Sequence, residues 1–112
     1  MKKTLRLSNS QISCLEATGF FQRAVGLLSR SYLDPNSGLI INPCKQVHTF
    51  FMRFPIDVVF LSKENEVVAV ESLKPWRISK IHLKAQKVLE IEHQKAKQLG
   101  LMTGQRLEFT ND

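Results

Sequence analysis

The stretch HTFFMRFPIDVVFL, His48–Leu61, decides how the chain is read, because it is apolar enough for a sheet interior yet carries His48, Arg53 and Asp57 and is broken by Pro55. In an extended strand successive side chains point to opposite faces. His48, Phe50, Met52 and Phe54 are then expected on one face and Thr49, Phe51 and Arg53 on the other, and with bulky aromatics on both sides neither face reads as solvated. Pro55 cannot donate a ladder hydrogen bond, so a bulge, a bend or a strand edge belongs there. If the chain ran straight, Arg53 and Asp57 would stand about 13 Å apart, four residues at roughly 3.3 Å each. They meet only if Pro55 bends the chain. A carboxylate flanked by Ile56, Val58, Val59 and Phe60 is costly to bury unpaired. Asp57 is therefore expected to accept hydrogen bonds from a backbone turn or to pair with Arg23 or Arg53; the alternative is a carboxylate beside a pocket, acting as acid, base or ligand anchor.

Working outward, IDVVFL and VVAVESL flank the charged turn SKENE and form the clearest hairpin in the chain, although the turn lacks the Asn-Gly pair of a two-residue connection. KTLRL and ISCLEA alternate as two short strands separated by SNSQ. Phe20, Ala24 and Leu28 lie on one helical stripe, so residues 20–33 read as a helix stopped by DPNSG, Asp34–Gly38. LII is a short strand, KPWRISKIHLKAQ an irregular crossing segment, KVLEIE a strand, HQKAKQLGL a short helix ended by Gly100, and GQRLEF a last strand. Seven or eight short strands with one or two short helices predict an α+β fold. With mostly local strand pairing, we expect one compact domain over 1–112, built on a curled, mostly antiparallel or mixed sheet that is barrel-like.

A length of 112 residues suits one packed core, and 43% apolar with 23% charged residues is a globular composition. Arg6, Ser8, Asn9 and Gln11 interrupt what a secretory signal needs to keep apolar, and no run approaches the roughly 18 apolar residues of a membrane span. A soluble cytoplasmic protein with reduced Cys14 and Cys44 is the expectation.

Cys44 and His48 form Cys-x-x-x-His, a spacing that suits a thiolate with its base or two metal ligands. Together with Asp57 they are the candidate catalytic residues. Cys14, His82 and His93 are scattered without ligand-pair spacing, so no metal is expected. Nor is a cofactor, since no glycine-rich phosphate loop, G-x-S-x-G or H-E-x-x-H occurs. The balance leans away from an enzyme. Between Lys74 and Lys87 the chain carries Lys74, Arg77, Lys80, Lys84 and Lys87 around Trp76 with no acidic residue. Basic residues interleaved with an aromatic are one footprint of a nucleic-acid surface. They equally suit an acidic protein partner or a solvated loop, and with no recognition motif, specific nucleic-acid binding is not expected.

Taken in order, RAVGLL, GLIINPCKQVHTFFMRFPIDVVFL, LKPWR, VLEIE and LGLMTGQRL resemble the domain-of-unknown-function family numbered 192, over about Phe20 to Phe109. The resemblance implies a β-rich, barrel-like domain with one or two helices, and no particular activity. Arg23, Gly26, Gly38, Met52, Pro55, Asp57 and Glu90 correspond to the family pattern. Two departures stand out: the glycine turn usual after the VLEL-like strand is missing, and Gln105 stands where the family usually has Asp. The signature polar residues Arg23, His48, Arg53, Asp57 and Glu90 are expected to tie the fold together and to line one cleft.

Overall fold

Two of the expected turns organise the sheet. The first, at Ser8–Ser10, is closed by a hydrogen bond from the Leu7 amide to the Ser10 carbonyl (2.9 Å). It folds β1 (Lys2–Arg6) antiparallel onto β2 (Gln11–Ala17). At the second, Ser62 and Glu66 close a turn in which Asn65 takes a left-handed φ of 68°. Asparagine tolerates that backbone, so a hairpin forms without Asn-Gly. It joins β4 (Ile56–Leu61) to β5 (Val67–Leu73). The computed structural model describes residues 2–17 and 34–112. The expected helix over 20–33, with Arg23 and Gly26, lies outside them.

β3 (Ser37–Ile41) runs parallel to β2, with Gly38 opposite Cys14, and pairs on its other edge with β6 (Lys87–Glu92). A methyl group on Gly38 would come within 2.9 Å of Leu89 Cδ1 and 3.2 Å of Ile91 Cγ2, so close packing reserves the position for glycine. α1 (Lys95–Leu99) ends at Gly100, whose φ of 69° suits a left-handed helix cap. β7 (Glu108–Asn111) pairs with β1. Among the described residues the result is one compact domain with a mixed seven-stranded sheet in the order β5-β4-β6-β3-β2-β1-β7. Among the described residues no helix is long and apolar enough to cross a membrane.

β4 is buried at all six positions because both its faces are covered. Ile56, Val58 and Phe60 join Leu39, Val47, Met52, Phe54 and Val88 on one side. Val59 and Leu61 join Ile12, Cys14, Leu89, Ile91 and Ala96 on the other. Burying each such side chain contributes about 1.5–3 kcal/mol, which explains a near-continuous apolar run instead of alternation.

Three expectations need correction. Residues 47–54 are not a strand: among the described residues they enter no ladder beyond one isolated bridge, His48 to Ile78. The Met52 amide bonds back to the Thr49 carbonyl (3.1 Å), closing a turn in which Phe51 is left-handed. That turn replaces the expected two-face alternation, burying Val47, Thr49, Met52 and Phe54 and turning Phe50, Phe51 and Arg53 outward. The final strand starts at Glu108, not Gly104, because Gly104 (φ 92°) and a bond from the Met102 amide to Gln105 Oε1 (3.1 Å) make residues 102–105 a turn, after which Arg106 pairs through an isolated bridge. Pairing is also less local than expected, since the two ends of the described chain meet in β1 and β7. The outer strands β5 and β7 are not ladder partners, and the sheet is not closed. A bridge from Glu66 to Arg106 and a bond from the Val67 amide to the Gln105 carbonyl (2.8 Å) link the approaches to them.

Candidate functional site

The loops 42–55 and 74–86 are joined along their length. Backbone bonds run from Cys44 to Gln86, from His82 to Lys45, from Ser79 to Val47 and from Thr49 to Arg77, each 2.8–2.9 Å. Thr49 is the centre of this junction and is 0% exposed. Its hydroxyl donates to the Lys74 carbonyl (2.6 Å) and accepts from the Arg77 amide (2.9 Å), while its carbonyl accepts from the Trp76 amide (3.0 Å). Ser79 Oγ does similar service, accepting from the Val47 amide (3.0 Å) and donating to the Lys80 carbonyl (2.8 Å). Below, Glu71 of β5 holds the second loop through the Lys80 amide (3.1 Å) and His82 Nε2 (2.6 Å), and the His82 ring packs on Phe60. Buried polar groups are normally satisfied in this way, and here the satisfaction fixes loop geometry.

That junction displays a continuous row of rings. Phe51 and Trp76 lie 4.6 Å apart between centroids, Phe50 lies 6.0 Å from Trp76, and His48 stacks on Phe50 at 4.7 Å. Phe51 is 67% and Trp76 54% exposed. Both residues have left-handed backbones, φ 69° and 62°. For bulky side chains that conformation costs on the order of 1–2 kcal/mol each. Ile78, Ile81 and Leu83 of the same loop are also exposed, Leu83 at 78%. Single exposed apolar residues need no explanation, but an assembled patch marks an interaction surface.

The basic residues divide. Lys74, Arg77, Lys80 and Lys84 are exposed on the second loop, and the Arg77 guanidinium reaches the Trp76 carbonyl (3.4 Å). Arg53 is exposed on the first loop. Lys87 lies instead on β6 near Lys3 and Glu16. Burial, followed by repulsion from Lys3, pulls its pKa below the usual lysine range.

Asp57 does not converge with Cys44, because the two lie on opposite faces of β4. Cys44 packs against the cluster of Ile56, Val58 and Phe60, and its thiol donates to the Gln46 carbonyl (3.1 Å). His48 Nδ1 accepts from the Phe50 amide (3.2 Å). Asp57, between Ile56 and Val58 on the strand, points to the opposite face. There its carboxylate, 2% exposed, accepts from Ser72 Oγ (2.7 Å) and the Ala96 amide (3.1 Å), with His93 Nδ1 at 3.5 Å. Glu90 is fully buried on the Cys44 side, opposite Leu39 and Val58, so it and Asp57 do not share a cleft. Cys14, also unbridged, is buried, and desolvation pushes its thiol up to about 11. Among the described residues no three His, Cys, Asp or Glu side chains gather to hold a metal ion.

Thr49, Ser79, Phe51 and Glu71 escaped sequence reasoning. Thr49 was readable only as one face of a supposed strand, and left-handed backbone at a phenylalanine has no compositional signal. The two family departures find substitutes in this chain: Gln94 adopts the left-handed backbone (φ 70°) a glycine would favour, and the Gln105 side chain caps the Met102 amide.

A family model described as DUF192, an uncharacterized ACR, matches residues 3–109. The chain belongs to that family. It is 36% identical over 99 residues to the UPF0127 protein of Pyrococcus abyssi, covering 83% of this chain and 82% of that one. To the UPF0127 protein of Pyrococcus furiosus it is 35% identical over 99 residues, covering 83% of each. A crystal structure of a protein of unknown function from Novosphingobium aromaticivorans superposes with TM-score 0.78 at 21% identity, over 96% of this chain and 83% of that one. A second, from Sinorhizobium meliloti and provisionally described as a transcription regulator, gives 0.77 at 21% identity, over 96% and 92%. These two likenesses establish shared fold alone. DUF192 is a family of uncharacterised function, and nothing in its description indicates a catalytic role.

Proposed function

We propose that the protein is a non-enzymatic recognition domain that docks on an anionic partner through the ring row of Phe50, Phe51 and Trp76 and the cations Lys74, Arg77, Lys80 and Lys84. The observation that carries this reading is the pair Phe51 and Trp76, two large side chains held outward on strained backbone. Strain of that kind clusters where a surface is used. The net charge of +6 adds long-range attraction for a negative surface. Asp57 and Glu90 belong to the fold in this reading, as ties inside the sheet. The bridge between Glu66 and Arg106 supports a sheet curled most of the way to a barrel, with the docking loops at one end. Cys14 and Cys44 are not joined in a disulfide, which favours a cytoplasmic setting.

Trp76 is the single tryptophan, so its fluorescence reports on this face alone. Titration at low salt with polyglutamate, single-stranded oligothymidylate and anionic vesicles should perturb Trp76 with at least one of the three. The Phe51→Ala, Arg77→Ala double variant should lose that response. An emission spectrum indifferent to all three probes would defeat the reading.

A further inference from the structure

Resting on that docking reading, we infer that the partner is the surface of an anionic lipid bilayer. Three features of the face separate a bilayer from the other polyanions. Ile78, bridged to His48 beside the ring row, and Ile81 and Leu83 further along the same loop add aliphatic side chains that are all more than half exposed. Aliphatic side chains offer nothing to a nucleic acid, whose bases are held by stacking on aromatic faces. The rings of His48, Phe50, Trp76 and Phe51 already pack on one another, leaving fewer open faces for bases. A peptide ligand adds a strand to an open sheet edge or lies in a groove. Here the apolar groups stand out from loops instead, with Leu83 the most exposed of them.

A bilayer accepts that arrangement without shape matching. Side chains of Phe, Trp and Leu enter the boundary between headgroups and acyl chains, where tryptophan is favoured because its ring is amphipathic. Lys74, Arg77, Lys80 and Lys84, from the same loop, then lie at headgroup level beside phosphatidylserine or a similar acidic lipid. Each contributes electrostatic attraction that falls off within a Debye length. The loop between Lys74 and Lys87 contains no carboxylate to oppose it. Glu71 and His82, which face each other beneath that loop, are occupied in holding it.

The test is flotation of the full chain with vesicles of phosphatidylcholine alone and with about one third phosphatidylserine, read alongside Trp76 emission. Binding to the acidic vesicles is expected, with a blue shift of Trp76 and protection from an aqueous quencher. Lys74→Ala, Arg77→Ala and Lys80→Ala should each weaken partitioning roughly fivefold. Leu83→Ala and Phe51→Ala should weaken it about tenfold or more, while leaving the melting temperature unchanged. Binding that survives Leu83→Ala and Phe51→Ala with no blue shift is adsorption by charge alone and overturns the inference. If the acidic vesicles fail while oligothymidylate or polyglutamate still perturbs Trp76, the bilayer is the wrong partner and the docking reading stands. If all three fail, both fall.

Discussion

Asp57 on β4 caps the backbone amide of Ala96 in α1 at 3.1 Å, a bond between residues 39 apart in sequence, and holds Ser72 of β5 with its other oxygen. One carboxylate thus fastens a central strand, its hairpin partner and the short helix. It makes no ion pair with Arg53, whose side chain is exposed on the preceding loop. Asp57→Ala should therefore cost about 2–4 kcal/mol, because two donors lose their acceptor in a buried site. Arg53→Ala should change stability by less than about 0.5 kcal/mol. Chemical denaturation of both variants measures the contrast, and equal costs would point to a hidden Arg53 contribution.

Thr49→Val keeps shape and removes the hydroxyl that joins the loops. The Arg77 amide and the Lys74 carbonyl then lose a partner where Thr49 is fully buried. A loss of about 1–3 kcal/mol is expected. Faster amide exchange should appear at Trp76 and Arg77 and not at the β4–β5 hairpin. Unchanged protection at Trp76 would show that Thr49 is not the link.

Phe51→Gly separates stability from use. Glycine adopts a φ of 69° freely, and Phe51 buries little, so the variant should melt at the same temperature as the parent or up to a few degrees higher. It should nevertheless lose docking. A marked drop in melting temperature would mean that the ring contributes to the core.

Glu16 pairs with Lys3 at 2.7 Å, and that bond, ahead of the opposing desolvation, holds its carboxyl below the ordinary 4.5. A depressed folded pKa gives stability that is present above the unfolded value and lost as pH falls through the folded one. Glu16→Gln should accordingly cost up to about 1 kcal/mol at pH 7, and the difference should shrink below pH 4.5. Thermal melts of the two proteins across that window give the answer, and a gap that persists at low pH would contradict it.

Cys14, buried and shifted up to about 11 from 9.0, should not react with a thiol reagent at pH 8 until the protein unfolds. Because its folded pKa is raised, stability should also decline between pH 9.0 and about 11 as the unfolded thiol ionises first. Rapid labelling of Cys14 in the native state, read by mass spectrometry, would contradict its burial.

The sheet was legible wherever side-chain period and backbone agree: VVAVESL, KVLEIE and ISCLEA all appear as strands near their expected bounds. VHTFFMRF failed for a physical reason. Its apolar alternation imitates a strand, while Thr49 diverts the backbone through side-chain bonds to a segment some 25–28 residues away. No local pattern reports a partner so distant. Trp76 and its lysines stood out by composition, but their neighbours Phe50 and Phe51 were hidden by being assigned to that strand. The apolar neighbours of Asp57 make its need for donors legible, but Ser72 and Ala96 lie too far along the chain to be identified as those donors.

The Thr49 and Ser79 junction has a consequence for the thermodynamics of encounter. Loops that fold on contact spend conformational entropy at that moment, on the order of 1–2 kcal/mol for each residue ordered. Here residues 47–49 and 76–79 are fastened to each other before anything arrives. The docking proposed above would then ask for little reorganisation, so the free and bound shapes should coincide and affinity should follow the contact itself. Association should run at a rate set by charge and salt, and residence time by how deeply Phe51, Trp76 and Leu83 are buried.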